Sequence, residues 1–296
     1  EIEPSLAVRR HRLDLLERLL RENETAFAEA ISADFGHRSP HETRLLEIFP
    51  SLEGLRHARR HLRGWMRPQR RPVSLWFQPG RAQVRYQPLG VVGIIVPWNY
   101  PLYLAIGPLT AALAAGNRAL VKMSEFTPAT AALLEGLIGR YFAADEVAVV
   151  RGDAEVAQAF SRLPFDHLLF TGSTQVGHHV MRAAADHLTP VTLELGGKSP
   201  VIVAPDYPLA KAAERIMVGK CLNAGQTCIA PDYVLLPEGR EEAFIAAAKA
   251  ALAACYPELA HSPDYSTVIN DRHFTRLSGY LDEAREKGAS VIPLSD

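Results

Sequence analysis

The stretch Val91-Val-Gly-Ile-Ile-Val-Pro-Trp-Asn-Tyr-Pro-Leu-Tyr-Leu-Ala-Ile-Gly-Pro-Leu-Thr-Ala-Ala-Leu-Ala-Ala-Gly116 contains no charged residue and is long enough to cross a bilayer. Pro97, Pro101 and Pro108 interrupt it, and Trp98-Asn99 sits near its middle, so a continuous span fits poorly. It reads instead as a buried strand over Val91–Val96, a loop, and a small-residue helix over 102–115 that ends at Gly116. No membrane span is expected.

The same alternation continues downstream. Ala119–Lys122 reads as a strand, and Thr127-Pro128 opens a helix as N-cap and first-turn proline. Val147–Val150, His167–Phe170 and Val191–Glu194 read as strands, separated by helices over Asp153–Phe160 and 174–186. Repeated β-α units imply an α/β fold with a doubly wound parallel sheet, which binds ligands at the carboxyl ends of its strands.

Upstream, residues 5–35 read as one helix with Leu6, Leu13, Leu16 and Leu20 as its apolar stripe. A second helix over 41–66 carries Leu45, Phe49, Leu52 and Trp65 on one side. Its other side bears Arg56, Arg59, Arg60 and Arg63, followed by Arg67, Arg70 and Arg71, which is either an anionic-polymer patch or a solvated face. Val73–Phe77, a Pro79-Gly80 turn and Ala82–Tyr86 read as a hairpin within 73–88, suited to an oligomer contact or to covering the core.

The chain has 296 residues, a net charge of −1 and 48% hydrophobic residues, enough for one large α/β domain or two. Near-neutral charge argues against nucleic acid as the main partner. Cys221, Cys228 and Cys255 are too few for a disulfide framework and match no zinc spacing, so no metal is expected and a reducing, cytoplasmic setting is.

Several strand ends carry residues suited to chemistry. Asn99, between two prolines, either caps a helix or donates its amide to a developing oxyanion. Lys122 and Glu125 suit a nucleotide ribose or a surface ion pair. Phe170-Thr-Gly172-Ser173-Thr-Gln-Val-Gly177 opens a helix whose N–H groups attract phosphate. It has the glycine spacing of a P-loop but His178 where lysine is required, which argues against ATP or GTP hydrolysis. Glu194 ends a strand before Gly196-Gly197. Partial burial there would raise its pKa toward that of a general base, although it could simply cap the turn.

One further stretch, Asn223-Ala-Gly-Gln-Thr-Cys228-Ile-Ala-Pro-Asp232, presents a cysteine behind a tight turn. A thiol with an ordinary pKa near ~8.5 needs activation to serve as a nucleophile, and the alternative is a small buried hydrophobe. A thiol, an amide, a carboxylate and a dinucleotide cradle together describe oxidation through a covalent thioester.

With Pro97–Pro101, Lys122–Pro128, Phe170–Gly177, Thr189–Pro200 and Asn223–Val234 assembled, the sequence resembles the NAD(P)-dependent aldehyde dehydrogenase superfamily. Within it, the class 3 branch and the bacterial coniferyl aldehyde dehydrogenases are most similar. The resemblance implies that Cys228 attacks the aldehyde, that Asn99 and the Cys228 N–H hold the oxyanion, and that Glu194 activates the hydrolytic water. It assigns cofactor contacts to Ile95, Val96, Pro97, Trp98, Lys122 and Glu125, and likewise to Gly172, Ser173, Val176, Leu195 and Gly196. NAD is implied, with NADP also open.

The expected domains are 1–195, N-terminal helices and a dinucleotide-binding domain with the 73–88 hairpin for oligomerisation, and 196–296, an incomplete catalytic domain. The implied substrate is a hydrophobic or aromatic aldehyde such as coniferyl aldehyde, and the implied assembly a homodimer. Met123 replaces the family's usual proline, and the family's later Glu-x-Phe-Gly-Pro segment does not occur in the chain. A chain that binds nucleotide without turnover is therefore one alternative. A cofactor-free cysteine hydrolase is another, although none of the eleven histidines sits in a recognisable motif. Cys221 is expected as a buried free thiol.

Overall fold

A computed structural model describes residues 3–295 and divides the chain into two compact units. The first holds the chain up to Phe27 and Leu45–Glu194; the second holds Ala28–Arg44 and the chain from Leu195 on. Residues 28–44, grouped by sequence with the first 195, thus cluster with the last hundred.

The N-terminal region folds as α1 (Leu6–Glu22), α2 (Glu24–Phe35), α3 (Pro40–Thr43) and α4 (Phe49–Trp65). The single helix expected over 5–35 breaks at Asn23. Its side-chain Nδ2 donates to Leu19 O at 2.8 Å and its backbone N–H turns to Leu20 O, so the amide competes with the helix for its own carbonyls. Of the expected leucine stripe, Leu13, Leu16 and Leu20 are fully buried, joined by Leu19, while Leu6 is half-buried. Each fully buried leucine contributes about 1.5–3 kcal/mol by leaving water.

The helix expected over 41–66 is likewise interrupted, by a π turn over Arg44–Ile48. Pro50 has no N–H for a continuous helix to use, and the wider turn precedes it. The buried face of α4 is Ser51, Leu52, Leu55, Ala58 and Leu62; Leu45, Phe49 and Trp65 are exposed, contrary to the expected stripe. On the arginine side, Arg59 pairs with Asp14 and Glu17, and Arg56 with Glu53, as on a solvated face.

The hairpin is also shifted. β1 (Gln69–Arg71) pairs antiparallel with β2 (Ala82–Val84), while Leu75–Phe77, expected as strand, forms a 3-10 turn between them.

The first unit is built on five strands: β3 (Val91–Ile95), β4 (Arg118–Lys122), β5 (Val147–Val150), β6 (His167–Gly172) and β7 (Val191–Leu195). Their order is β5-β4-β3-β6-β7, and the β3–β4, β3–β6 and β4–β5 pairs are parallel. His167 Nε2 lies 2.9 Å from Thr192 Oγ1 and Leu168 N–H donates to Pro190 O, so β6 and β7 start side by side and β7 runs the same way. The chain moves outward from β3 to β5 and then jumps back to β6, which makes β3 the topological switch.

Helices α5 (Tyr103–Ala115), α6 (Pro128–Tyr141), α7 (Ala154–Ser161) and α8 (Thr174–Ala185) link the strands. Gly116 ends α5 at φ 92°, where an added Cβ would meet the buried Arg9 guanidinium at 2.7 Å. Arg9 in turn donates to Ala114 O at 3.2 Å and so satisfies the helix end. Thr127 takes the N-cap position of α6, but its hydroxyl donates to Ser124 O rather than capping.

The second unit contains β8 (Ser199–Ile202), α9 (Leu209–Cys221), β9 (Pro231–Leu235), α10 (Glu241–Cys255) and α11 (Asp271–Glu286). β8 and β9 form a parallel pair, and Val203, Ala212 and Ile216 pack a core with Val234 and Phe244. Among the described residues, the helical run 241–261 is long and apolar enough to cross a membrane by length and composition. Its Ala248 and Leu252 are buried against Met217 and Cys221.

Candidate active site

The parallel sheet places four of the expected segments on one rim. The ends of neighbouring strands β4, β3, β6 and β7 carry, in that order, Lys122 to Glu125, Pro97 to Asn99, Gly172-Ser173, and Glu194. Ile95 and Val96 are buried at the switch strand, and Pro97, Trp98 and Asn99 are half-buried beyond it. Asn99 Oδ1 accepts from Tyr100 N–H at 3.1 Å. That bond helps to orient the plane of the carboxamide in which its two N–H groups lie.

Lys122 is 1% exposed, with Nζ donating to Met123 O at 2.7 Å and Gly152 O at 2.8 Å. The ammonium therefore ties the loops that leave β4 and β5. Burial pushes its pKa down, while Glu125 and Asp153 pull it back up. Glu125 itself is exposed. At β6, Ser173 is the N-cap of α8 and accepts from Val176 N–H at 3.3 Å. Thr174, Gln175 and Val176 stand exposed in its first turn.

Glu194 differs from expectation. It is exposed rather than partly buried, because β7 is an edge strand of the sheet and the chain leaves it through the exposed Gly196-Gly197.

Leu195, Gly196 and Cys228 belong to the second unit. Cys228 is an exposed free thiol, whereas Cys221 is buried and free, as expected. Between them, Asn223 (φ 51°), Ala224 (φ 51°) and Gly225 (φ 76°) form an unbroken left-handed run. Only the third is a glycine, and at Gly225 an added Cβ would approach Lys220 O to 3.1 Å. Two successive non-glycine residues in this region store backbone strain, which persists only where surrounding bonds over-determine it.

Those bonds are present. Asn223 Nδ2 donates to Gln226 O at 3.3 Å, and Gln226 Nε2 donates to Asn223 O at 3.0 Å and Thr267 O at 2.9 Å. Gln226 Oε1 accepts from Ile269 N–H, and both Glu42 oxygens accept from Asn223 N–H at 3.1 and 3.2 Å. Past the cysteine, Lys198 and Asp232 form an exposed ion pair at 3.1 Å.

Sequence reasoning missed Glu42 and Gln226 as parts of this loop. Gln226 lies inside the motif, but only its bonds reveal a role; Glu42 is 181 positions from Asn223 and has no local signal. A cavity of ≈ 690 Å³ lies elsewhere in the first unit, along α4 and α5, and none of the expected site residues lines it.

The family model described as the aldehyde dehydrogenase family matches residues 3–294. The chain belongs to the aldehyde dehydrogenase family. A probable coniferyl aldehyde dehydrogenase of Pseudomonas aeruginosa is 60% identical over 282 residues, covering 95% of this chain and 59% of that protein. Among solved aldehyde dehydrogenase structures, the substrate-bound Staphylococcus aureus AldH superposes with a TM-score of 0.92 at 38% identity, over 97% of this chain and 62% of that one. A Mycobacterium tuberculosis aldehyde dehydrogenase complexed with NAD⁺ gives 0.85 at 29% identity, over 98% and 61%. The chain thus spans about 60% of the length of the aldehyde dehydrogenases it matches. The expected α/β fold with a parallel sheet is the fold of these relatives.

Proposed function

We propose that the protein oxidises a hydrophobic or aromatic aldehyde, coniferyl aldehyde being the type, to its carboxylic acid with NAD⁺ as acceptor. The observation that carries this reading is the exposed Cys228 thiol on a strained, multiply bonded loop, in a chain of the aldehyde dehydrogenase family. The substrate class comes from the Pseudomonas aeruginosa relative and the cofactor from the NAD⁺-bound neighbour.

The rim residues fit a dinucleotide. The open N-terminus of α8 offers backbone N–H groups to a pyrophosphate, with Ser173 at its cap. Glu125, exposed at the end of β4, can accept from ribose hydroxyls, and that carboxylate favours NAD over a 2′-phosphate. Lys122 holds the loops on either side, and Ile95 to Trp98, Gly172, Val176, Leu195 and Gly196 complete the proposed cofactor contacts.

In the proposed reaction the Cys228 sulfur, as thiolate, adds to the aldehyde carbon and forms a thiohemiacetal. Asn99, its carboxamide oriented in part by the bond from Tyr100 N–H, donates an N–H to the oxyanion, as does the Cys228 backbone. The nicotinamide, when bound, supplies the hydride acceptor that turns the thiohemiacetal into a thioester. Glu194 takes a proton from water, the resulting hydroxide adds to the thioester carbon, and the Cys228 thiolate leaves as the acid forms.

The first unit supplies most of the proposed dinucleotide contacts together with Asn99 and Glu194, and the second supplies the nucleophile Cys228. Leu75, Trp76 and Phe77, which are 82, 91 and 71% exposed, support the hairpin region as a contact with a second copy of the chain. Three free cysteines suit the reducing cytoplasm.

The test is reduced-nicotinamide absorbance with coniferaldehyde, benzaldehyde and a long-chain aldehyde, each with NAD⁺ and with NADP⁺. Turnover with the aromatic aldehydes and NAD⁺ is expected. Absence of reduced cofactor with every pair, despite measurable NAD⁺ binding, would leave a nucleotide-binding chain without this activity.

A further inference from the structure

The residue with the most direct hold on the cysteine loop is one that no motif contains. Glu42 lies in α3, is 6% exposed, and points its carboxylate at the first residue of the left-handed run. Asn223 N–H donates to both of its oxygens, at 3.1 and 3.2 Å, and Ser266 Oγ donates to Oε2 at 2.9 Å. The Arg38 guanidinium, fully buried one turn earlier, stands 4.0 Å from the same oxygen. A buried carboxylate surrounded by donors is held in one place, and what it holds is the start of the bend that leads to Cys228.

We infer that Glu42 is a positioning residue for the nucleophile: it clamps the Asn223–Gly225 bend and thereby sets how Cys228 is presented. The inference rests on the reading of Cys228 as nucleophile and names a residue from the other end of the chain that serves it. Gln226 braces the far side of the bend, but through bonds that depend on the bend already being made. Glu42 receives the Asn223 N–H on both of its oxygens, directly at the first residue of the bend. Without that acceptor, two non-glycine residues at φ 51° have less to keep them from relaxing to right-handed backbone.

Burial pushes the Glu42 pKa up, with a smaller push from the Asp264 charge, and the hydrogen bonds from Asn223 and Ser266 and the charge of Arg38 act against that rise. Keeping a carboxylate there is costly, and a site that served packing alone would be better filled by an apolar side chain.

The three cysteines make the test internal to one molecule. Cys221 is buried and reports the fold, Cys255 is an exposed reference thiol, and Cys228 is the thiol in question. The 296-residue chain is treated with iodoacetamide, and the alkylation rate of each cysteine is followed by peptide mass spectrometry. Wild type is expected to alkylate Cys228 well ahead of Cys255. In Glu42→Ala the Cys228:Cys255 ratio is expected to fall by about tenfold, the scale set by leaving one buried amide without an acceptor. Glu42→Gln, which keeps the shape and one acceptor oxygen, is expected to fall by about threefold.

A ratio unchanged in either variant while Cys221 stays shielded overturns the inference. If Glu42→Ala exposes Cys221, loss of the fold accounts for its ratio, and Glu42→Gln decides by the same criterion. A wild-type ratio near one counts against the nucleophile reading itself and takes this inference with it. A high wild-type ratio that survives in a folded Glu42→Gln defeats only the clamp.

Discussion

The rim of the parallel sheet and the loop that carries Cys228 hold their proposed functional side chains by opposite means. On the rim, short-range chain geometry does the placing: each strand ends where its neighbours end, and Asn99 is oriented by the next residue along. In the cysteine loop, the local backbone is strained, with three successive left-handed residues, and distant side chains keep it so. The contrast teaches that a regular sheet can be substituted piecemeal, whereas the loop depends on partners far off in sequence.

The largest expected effect is at the thiol. Cys228→Ser should lower aldehyde oxidation by roughly 10⁴-fold or more, since nothing else on the loop can form the covalent adduct. Undiminished turnover would remove the loop from the comparison altogether. Next, Asn99→Ala should reduce kcat by about 10²–10³-fold with little change in KM, as expected for a donor used chiefly in the transition state. An effect confined to KM would make Asn99 a ground-state contact.

A smaller effect is expected at Lys122, which serves the rim by tying two loops. Lys122→Met removes both donors and leaves the Met123 and Gly152 carbonyls without that partner. A loss of about 1–3 kcal/mol in denaturant stability is expected, together with weaker NAD⁺ binding in a titration. Unchanged values for both would show that the rim needs no such tie.

The smallest effect separates the two units by their response to alkali. Burial, helped by Cys255 and Glu42, pushes the Cys221 pKa up to about 11 from an ordinary 9.0. Folded Cys221 keeps a proton that the unfolded chain loses, so its stabilising contribution is complete below about pH 9 and disappears as pH rises through 11. Tyr256 and Tyr265, in edge-on contact in the same core, are shifted upward by burial in the same sense. Lys122 in the first unit acts oppositely: its lowered pKa makes folding release a proton, so its contribution improves as pH approaches 10.5. Hydrogen exchange at pH 9 and 11 should therefore show protection lost preferentially in the second unit. Cys221→Ala should flatten part of that loss.

What was legible in the sequence follows the same division. Every strand of the five-stranded sheet could be placed because its signals are local: an apolar run, then in most cases a glycine or proline stop such as Pro97, Gly152 or Gly196. The Cys228 motif was legible as residue types, though the bonds that hold it were not. Glu42 looks like any helical glutamate until residues 223 and 266 are folded onto it. The breaks at Asn23 and before Pro50 depend on which carbonyl a side chain or an absent N–H leaves available, a choice that periodicity does not register. The exposure of Glu194 likewise depends on β7 lying at the edge, which only the strand order reveals.

The excursion of residues 28–44 into the second unit has a consequence for biosynthesis. These residues leave the ribosome about 150 positions before the first of their partners beyond Leu195. At ordinary elongation speeds the nascent Arg38 and Glu42 wait on the order of ten to forty-five seconds for Asn223 and Ser266 to be made. The chain must keep that early segment uncommitted while the five-stranded unit is already being made. Chaperone dependence and sensitivity to translation rate are therefore expected to concentrate in this short stretch.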